Sequence, residues 1–338
     1  MLKEDAVLTT KKSTKPLENL VDFLKDDMDA VNQEILQRMG SNVSLISKIA
    51  TYLVSAGGKR IRPLLTLAMT HVLTGDMKRA HGLAATVEFI HTATLLHDDV
   101  VDESVERRGR AAANEIFGNQ ASVLVGDFLF SRSFQLMVAD GSLDTLKILS
   151  DASAVIAEGE VMQLQMQRNL QTTWDEYIEM IGAKTAALFA AACQVGAVIS
   201  DANPELQEAT HEFGYKLGLA FQIVDDVLDY SADQAVLGKT VGDDLKEGKI
   251  SAPVLLAYDV ADQKEKAFWE RTIVNGQHEE DDLTVAQNIL DRHQIIPKGI
   301  SIAQNYAMEA QKALEKLPNS PVKEMLHSVC DYVVRRNA

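Results

Sequence analysis

Two aspartate clusters dominate the chemistry that this chain can do: Asp98, Asp99 and Asp102, then Asp225, Asp226 and Asp229. Both follow the spacing Asp-Asp-x-x-Asp. On a helix the first and last aspartates of each cluster lie one turn apart, so their carboxylates share a face. Two such charges repel by about 4 kcal/mol at 4 Å in an effective dielectric of about 20. A hard cation removes that repulsion. Oxygen donors without histidine or cysteine select magnesium, which keeps waters and takes phosphate oxygens as its other ligands. Most charge runs are solvated helix faces. Here Ala93-Thr94-Leu95-Leu96 precedes one cluster and Ala220-Phe221-Gln222-Ile223-Val224 the other. Carboxylates set beside a core-facing stripe need a compensating charge.

Cations gather around both clusters in sequence. Gly57-Gly58-Lys59-Arg60-Ile61-Arg62-Pro63 offers backbone N–H groups and positive charge to a phosphate just before a helix. Arg107-Arg108-Gly109 follows the first cluster. Lys184-Thr185 comes later, and Lys239 and Lys249 flank Gly242-Asp243-Asp244 after the second cluster. Taken singly, each of these also reads as surface charge. No Ser-His-Asp set, metal-binding histidine pair or reactive cysteine is apparent. Cys193 and Cys330 read as reduced core residues of a cytoplasmic protein. His97 reads as a packing or orienting group.

The elements that must position these residues are helices. No proline occurs between Leu64 and Asn203, in a stretch rich in Ala, Leu, Met, Gln and Glu. Pro63 and Pro204 mark helix starts, the latter after the N-capping types Asp201 and Asn203. Apolar residues recur with helical spacing from Ala80 to Val101, and over 121–139, 145–168, 175–199 and 205–230. Breaks fall near Gly75-Asp76, Gly141-Ser142, 169–173 and 238–248. No strand run or dinucleotide-binding glycine pattern is visible. The fold class is therefore all-α: one large helical bundle over 1–338, with 1–18 a loosely ordered extension. The hydrophobic fraction of 46% supplies a large core, and the net charge of −16 argues against nucleic acid. The apolar run Ala186–Ile199 is too short to span a bilayer, so a soluble protein is expected.

The strings GGKRIRP, VEFIHTATLLHDDVVDESVERRG, SVLVGDFLFSRSF, AEGE, KTAALF, FQIVDDVLDY and GKTVGDDLKEGK, in this order, resemble the trans-isoprenyl diphosphate synthase family. They are most similar to its bacterial long-chain branch, and the likeness is most specific between residues 57 and 249. The resemblance implies an isoprenoid-synthase bundle that extends an allylic diphosphate, such as farnesyl diphosphate, with isopentenyl diphosphate. It implies three magnesium ions with substrate bound, a homodimer, transient membrane contact on product release, and an octaprenyl chain for a quinone. Lys59, Arg62, His91 and Arg108 would hold isopentenyl diphosphate. Arg107, Lys184 and Lys249 would hold the allylic diphosphate, with Lys239 a further substrate contact. Thr185 and Gln222 would face the developing allylic cation. Asp98, Asp102 and Asp225 would be the principal metal ligands, supported by Asp99, Asp226, Asp229 and Asp244. Class I terpene cyclases and silent partner subunits usually lack one or both complete motifs that this chain has.

The growing chain must leave the metals between helices. Thr94 and Ala93, four and five residues before Asp98, lie roughly one 5.4 Å turn below the carboxylates. Short-product members of the family place bulky aromatics there, so these small residues imply a product beyond C20. Val87 and Ile90 deeper on the same helix, and Met162 and Met166 on a facing one, are candidates for the tunnel floor. Each is also an ordinary core residue type.

Overall fold

The computed structural model describes residues 16–55, 58–107, 109–231 and 241–335. Gly57, Arg108, Lys239 and the first 15 residues therefore lie outside the described residues. Helices α1 (Pro16–Phe23), α2 (Lys25–Arg38), α3 (Ser44–Ser55) and α4 (Ile61–Val72) precede the long α5 (Met77–Val101). A two-stranded ribbon, Glu106–Arg107 against Arg110–Ala111, interrupts the helices before α6 (Ala113–Phe117). Then come α7 (Asn119–Asp140), α8 (Leu143–Met166), α9 (Trp174–Ile181), a π-turn (Gly182–Ala186), α10 (Ala187–Val198) and α11 (Pro204–Ser231). Helices α12 (Asp243–Glu247), α13 (Ala252–Val260) and α14 (Gln263–Trp269) follow, then a second π-turn (Glu270–Val274). The chain ends in α15 (Asp282–Arg292), α16 (Ile295–Leu314) and α17 (Pro321–Arg335).

The expected punctuation is largely realised. Asp76 caps α5 by accepting from Lys78 and Arg79 N–H, and Asn203 Oδ1 accepts from Leu206 N–H at the start of α11. Pro204 is the first residue of α11. Two expectations change. Residues 16–18 are helical, with Leu17 buried in the core. Residues 106–107 and 110–111 form an antiparallel pair, where no strand was expected. A ribbon of two residues per strand is too short to leave an alternation in sequence.

α5 and α11 carry the aspartate clusters and run through the middle of the bundle. α5 packs on α4 and α7, while α11 packs on α10 and α16. The backbones of α10 and α11 nearly touch: a Cβ on Gly214 would lie 2.4 Å from the Phe189 carbonyl oxygen. The buried residues around them, Phe189, Phe213, Leu217 and Ile223 among others, form one continuous core. Each such side chain contributes roughly 1.5–3 kcal/mol through burial. Cys193 and Cys330 are free and buried.

Candidate active site

α5 and α11 face each other across a cavity of about 470 Å³. Its wall takes His91, Thr94, Asp98 and Asp102 from α5, which recur at helical spacing, and Phe221, Gln222, Asp225 and Asp226 from α11. α4 contributes Arg62, α8 contributes Glu160, Gln163 and Met166, and the first π-turn contributes Lys184 and Thr185. Asp243, Asp244, Glu247 and Lys249 close the mouth, with Glu106 and Arg107 from the ribbon. Nine carboxylates thus meet four cations around one cavity. Such an imbalance repels a bare diphosphate and favours one that arrives with divalent cations.

Lysines hold the first cluster's charges in check. Lys249 Nζ donates to Asp102 Oδ2 at 2.8 Å and pairs with Glu247 at 2.5 Å. Lys184 Nζ pairs with Glu160 at 2.5 Å and lies 3.7 Å from Asp98. Burial works against the Lys249 charge, but Asp244, Asp102 and Glu247 outweigh it and raise its pKa. Burial, then the Asp98 charge, pushes Glu160 up to about 7 against the pull of Lys184. Glu160 and Glu247 were not anticipated as functional. Glu160 sits in the AEGE string, so a signal for it was present.

The second cluster divides its labour. Asp225 faces the cavity. Asp226 accepts from the Tyr177 hydroxyl at 2.7 Å, Gln222 Nε2 at 2.8 Å and Ala252 N–H at 3.1 Å. Burial and then Asp244 push its pKa up to about 7, against those three donors. Gln222 in turn accepts the Thr185 hydroxyl at 2.8 Å, so its amide is oriented from both ends. Asp229 is fully buried off the cavity wall, and its Oδ2 accepts from Asp244 N–H at 3.1 Å. The turn at 242–244 covers Asp229, so of these two residues, one turn apart on α11, only Asp225 lines the cavity.

A second stripe of α5 faces away from this cavity. Glu88, Thr92 and Asp99 line a smaller one of about 60 Å³, together with Arg60 and Arg107. Arg107 pairs with the buried Asp99 at 2.5 Å, and Arg60 lies 3.9 Å from Glu88. Asp99 thus faces an arginine, while Asp98 and Asp102 face the main cavity. Burial raises its pKa and Arg107 opposes the rise. Arg62 Nη1 and His91 Nε2 are 3.2 Å apart on the main wall, and the Arg62 guanidinium stacks over Phe189. Lys59 is exposed and donates to the Tyr332 hydroxyl of α17 at 2.8 Å, outside the cavity. His97 points at α7, 3.2 Å from the Val123 carbonyl, where only a glycine at 126 leaves it room.

Of the proposed tunnel residues, Thr94 and Met166 line the cavity. Ala93, Ile90 and Val87 are buried core beneath it. Met162 lines a separate groove between α8 and α10.

Among the described residues, no group of three or more His, Cys, Asp or Glu side chains stands close enough together to hold an ion alone. The donor set nevertheless fits magnesium. Asp98, Asp102 and Asp225 present only oxygens to one cavity, and the ammonium groups beside the first two mark where positive charge is wanted.

The polyprenyl synthetase family profile matches residues 43–290. The chain belongs to the polyprenyl synthetase family. It is 43% identical to octaprenyl diphosphate synthase of Escherichia coli (strain K12) over 324 residues, 95% of this chain and 99% of that one. The solved decaprenyl diphosphate synthase of Rhodobacter capsulatus superposes with a TM-score of 0.90 at 48% identity, over 96% of this chain and 100% of that one. A polyprenyl synthase from Caulobacter crescentus CB15, complexed with calcium and isoprenyl diphosphate, gives 0.93 at 45% identity, over 95% and 98%. This polyprenyl synthetase is an enzyme, a prenyltransferase of the long-chain all-trans type, and magnesium dependence is general to its family.

Proposed function

We propose that this synthase makes octaprenyl diphosphate by adding isopentenyl diphosphate units to farnesyl diphosphate. One observation supports it above the rest: two aspartate-bearing helices face each other over one cavity, with Lys184 and Lys249 between them. Bound magnesium, three ions with substrate by the family resemblance, would supply Lewis-acid charge to the diphosphate. Asp98, Asp102 and Asp225 would hold it. Lys184, Lys249 and Arg107 neutralise the departing diphosphate, so the allylic C–O bond breaks heterolytically. Gln222 and Thr185 turn oxygen dipoles toward the allylic cation, their orientation fixed by Asp226. Arg62 and His91 hold isopentenyl diphosphate with its double bond beside that cation. The new bond forms from the π electrons, and the proton lost leaves with the freed diphosphate. Phe221, Met166, Met180 and Ile181 keep water from the cation.

The chain is proposed to act in the cytoplasm as a homodimer, releasing its product at a membrane surface. Leu124, Phe134 and Val138 on α7, with Val161 and Leu164 on α8, are exposed and support a subunit contact. A ten-unit product is the second reading, favoured by the decaprenyl synthase of similar sequence. Incubation with farnesyl and isopentenyl diphosphates plus magnesium, followed by sizing of the dephosphorylated products, decides between them. A C40 alcohol is expected. A folded protein that makes nothing longer than its primer would falsify the assignment.

A further inference from the structure

The junction after α8 grips the loop that delivers Lys249. Gln167 Nε2 donates to the Glu247 carbonyl at 2.7 Å, and Arg168 N–H donates to the Gly248 carbonyl at 2.9 Å. Arg168 has a φ of +63°, a left-handed conformation uncommon for a residue with a side chain. Its side chain runs between two left-handed glycines, Gly248 and Gly276, with φ of +70° and +60°. A Cβ on Gly248 would lie 2.8 Å from Arg168 Cγ, and one on Gly276 would lie 2.1 Å from Nη1. Both neighbours are thus without side chains where Arg168 passes. Neither Gln167 nor Arg168 is among the residues lining the cavity.

Two successive carbonyls, at 247 and 248, are therefore fixed immediately before Lys249, which crosses the cavity to Asp102. We infer that Gln167 and Arg168 are positioning residues for the allylic-diphosphate half of the site, holding the Glu247–Lys249 turn where Lys249 reaches Asp102. This rests on the prenyl-transfer reading above. Arg62 and His91, 3.2 Å from each other, hang from α4 and from α5 about three turns before Asp102, so the isopentenyl half is not held by this grip.

The inference makes a one-sided kinetic prediction. Gln167→Glu replaces the amide donor with an acceptor facing the Glu247 carbonyl. Arg168→Ala empties the gap between the glycines but keeps the backbone N–H. On the full-length chain, the KM for farnesyl diphosphate and the half-saturating magnesium concentration are expected to rise about fivefold, as for one lost hydrogen bond. The KM for isopentenyl diphosphate should stay within about twofold, as for an uncoupled site. Arg168→Lys should recover most of the loss, since its stem refills the gap. Equal rises in both KM values, a fall in kcat alone, or unmoved constants in folded variants overturn the assignment. Should Arg168→Ala not fold, the exposed Gln167→Glu decides alone. The unsubstituted chain, assayed in parallel, separates the two ideas. If it makes no product, the prenyl-transfer reading fails; if it turns over normally beside unaltered variants, only the positioning role does.

Discussion

At the scale of single residues, the two clusters resolve into side chains with different work. Asp98, Asp102 and Asp225 face the cavity, whereas Asp99 faces Arg107 and Asp229 supports the turn at Asp244. Asp98→Asn should therefore lower kcat by roughly 10²–10³, the cost of removing one electrostatic contact to the transition state. It should also raise the magnesium requirement. Asp229→Asn should instead show first as a lower Tm, because its loss frees the 242–244 turn. Equal effects of the two on magnesium dependence would contradict this division. The carboxyls also set a pH dependence. Glu160 and Asp226 are both pushed up to about 7 from ordinary values of 4.5 and 3.8. The folded chain then keeps protons that the unfolded chain releases, so stability is greatest below the unfolded values and falls as pH rises toward about 7. Thermal melts in EDTA should show Tm dropping between about pH 5 and about pH 8. Glu160→Gln should flatten part of that slope, and a Tm that climbs over this range would count against the assignment. Proximity of the aspartates to apolar sequence made their burial legible in advance. The common face of 98 and 102 followed from helical spacing, whereas the pairing of Asp99 with Arg107 and the covering of Asp229 did not, since both depend on neighbours met only in three dimensions.

At the scale of elements, helical periodicity sufficed for α5, α7, α8 and α11, whose observed ends lie within three residues of those expected. The first π-turn was not legible. It interrupts Trp174–Val198 without a glycine–proline break, and an unbroken α-helix has the same composition. That turn sets Lys184 and Thr185 on the cavity while Gly182 and Ala183 line the groove behind it. Gly159 of α8 packs against it so closely that a Cβ there would lie 2.5 Å from Lys184 N. Control of product length is proposed to lie on α5. Thr94 lies on the wall and Ala93 just beneath, so Thr94→Phe should block the cavity directly. Ala93→Tyr should displace core first, and both should shift products toward C15–C20. Product sizing after Thr94→Phe checks this, and an unaltered C40 distribution would remove Thr94 from the chain path.

At the scale of the whole molecule, the proposed dimer makes a prediction of its own. Leu124 and Val138 are 66% and 67% exposed, fully presented rather than half-packed. Replacing both with aspartate should give a monomer by sedimentation while the far-ultraviolet helix signal stays unchanged. A variant that still sediments as the parent would place the subunit contact elsewhere. Two helices here, Asn119–Asp140 and Trp174–Val198, are long and apolar enough to cross a membrane by length and composition. The second exceeds the run read from sequence because the π-turn joins it to α9. The two differ in how far the fold conceals them, 72% of the apolar window of Trp174–Val198 being buried against 39% for Asn119–Asp140. Biogenesis inherits that difference. A nascent chain shields Trp174–Val198 by folding on itself, at a rate independent of how many copies are present. Shielding of Asn119–Asp140 is second-order in concentration wherever a second copy completes it. If the proposed dimer covers it, sparse expression leaves this one helix open longest to bilayers, chaperones and proteases.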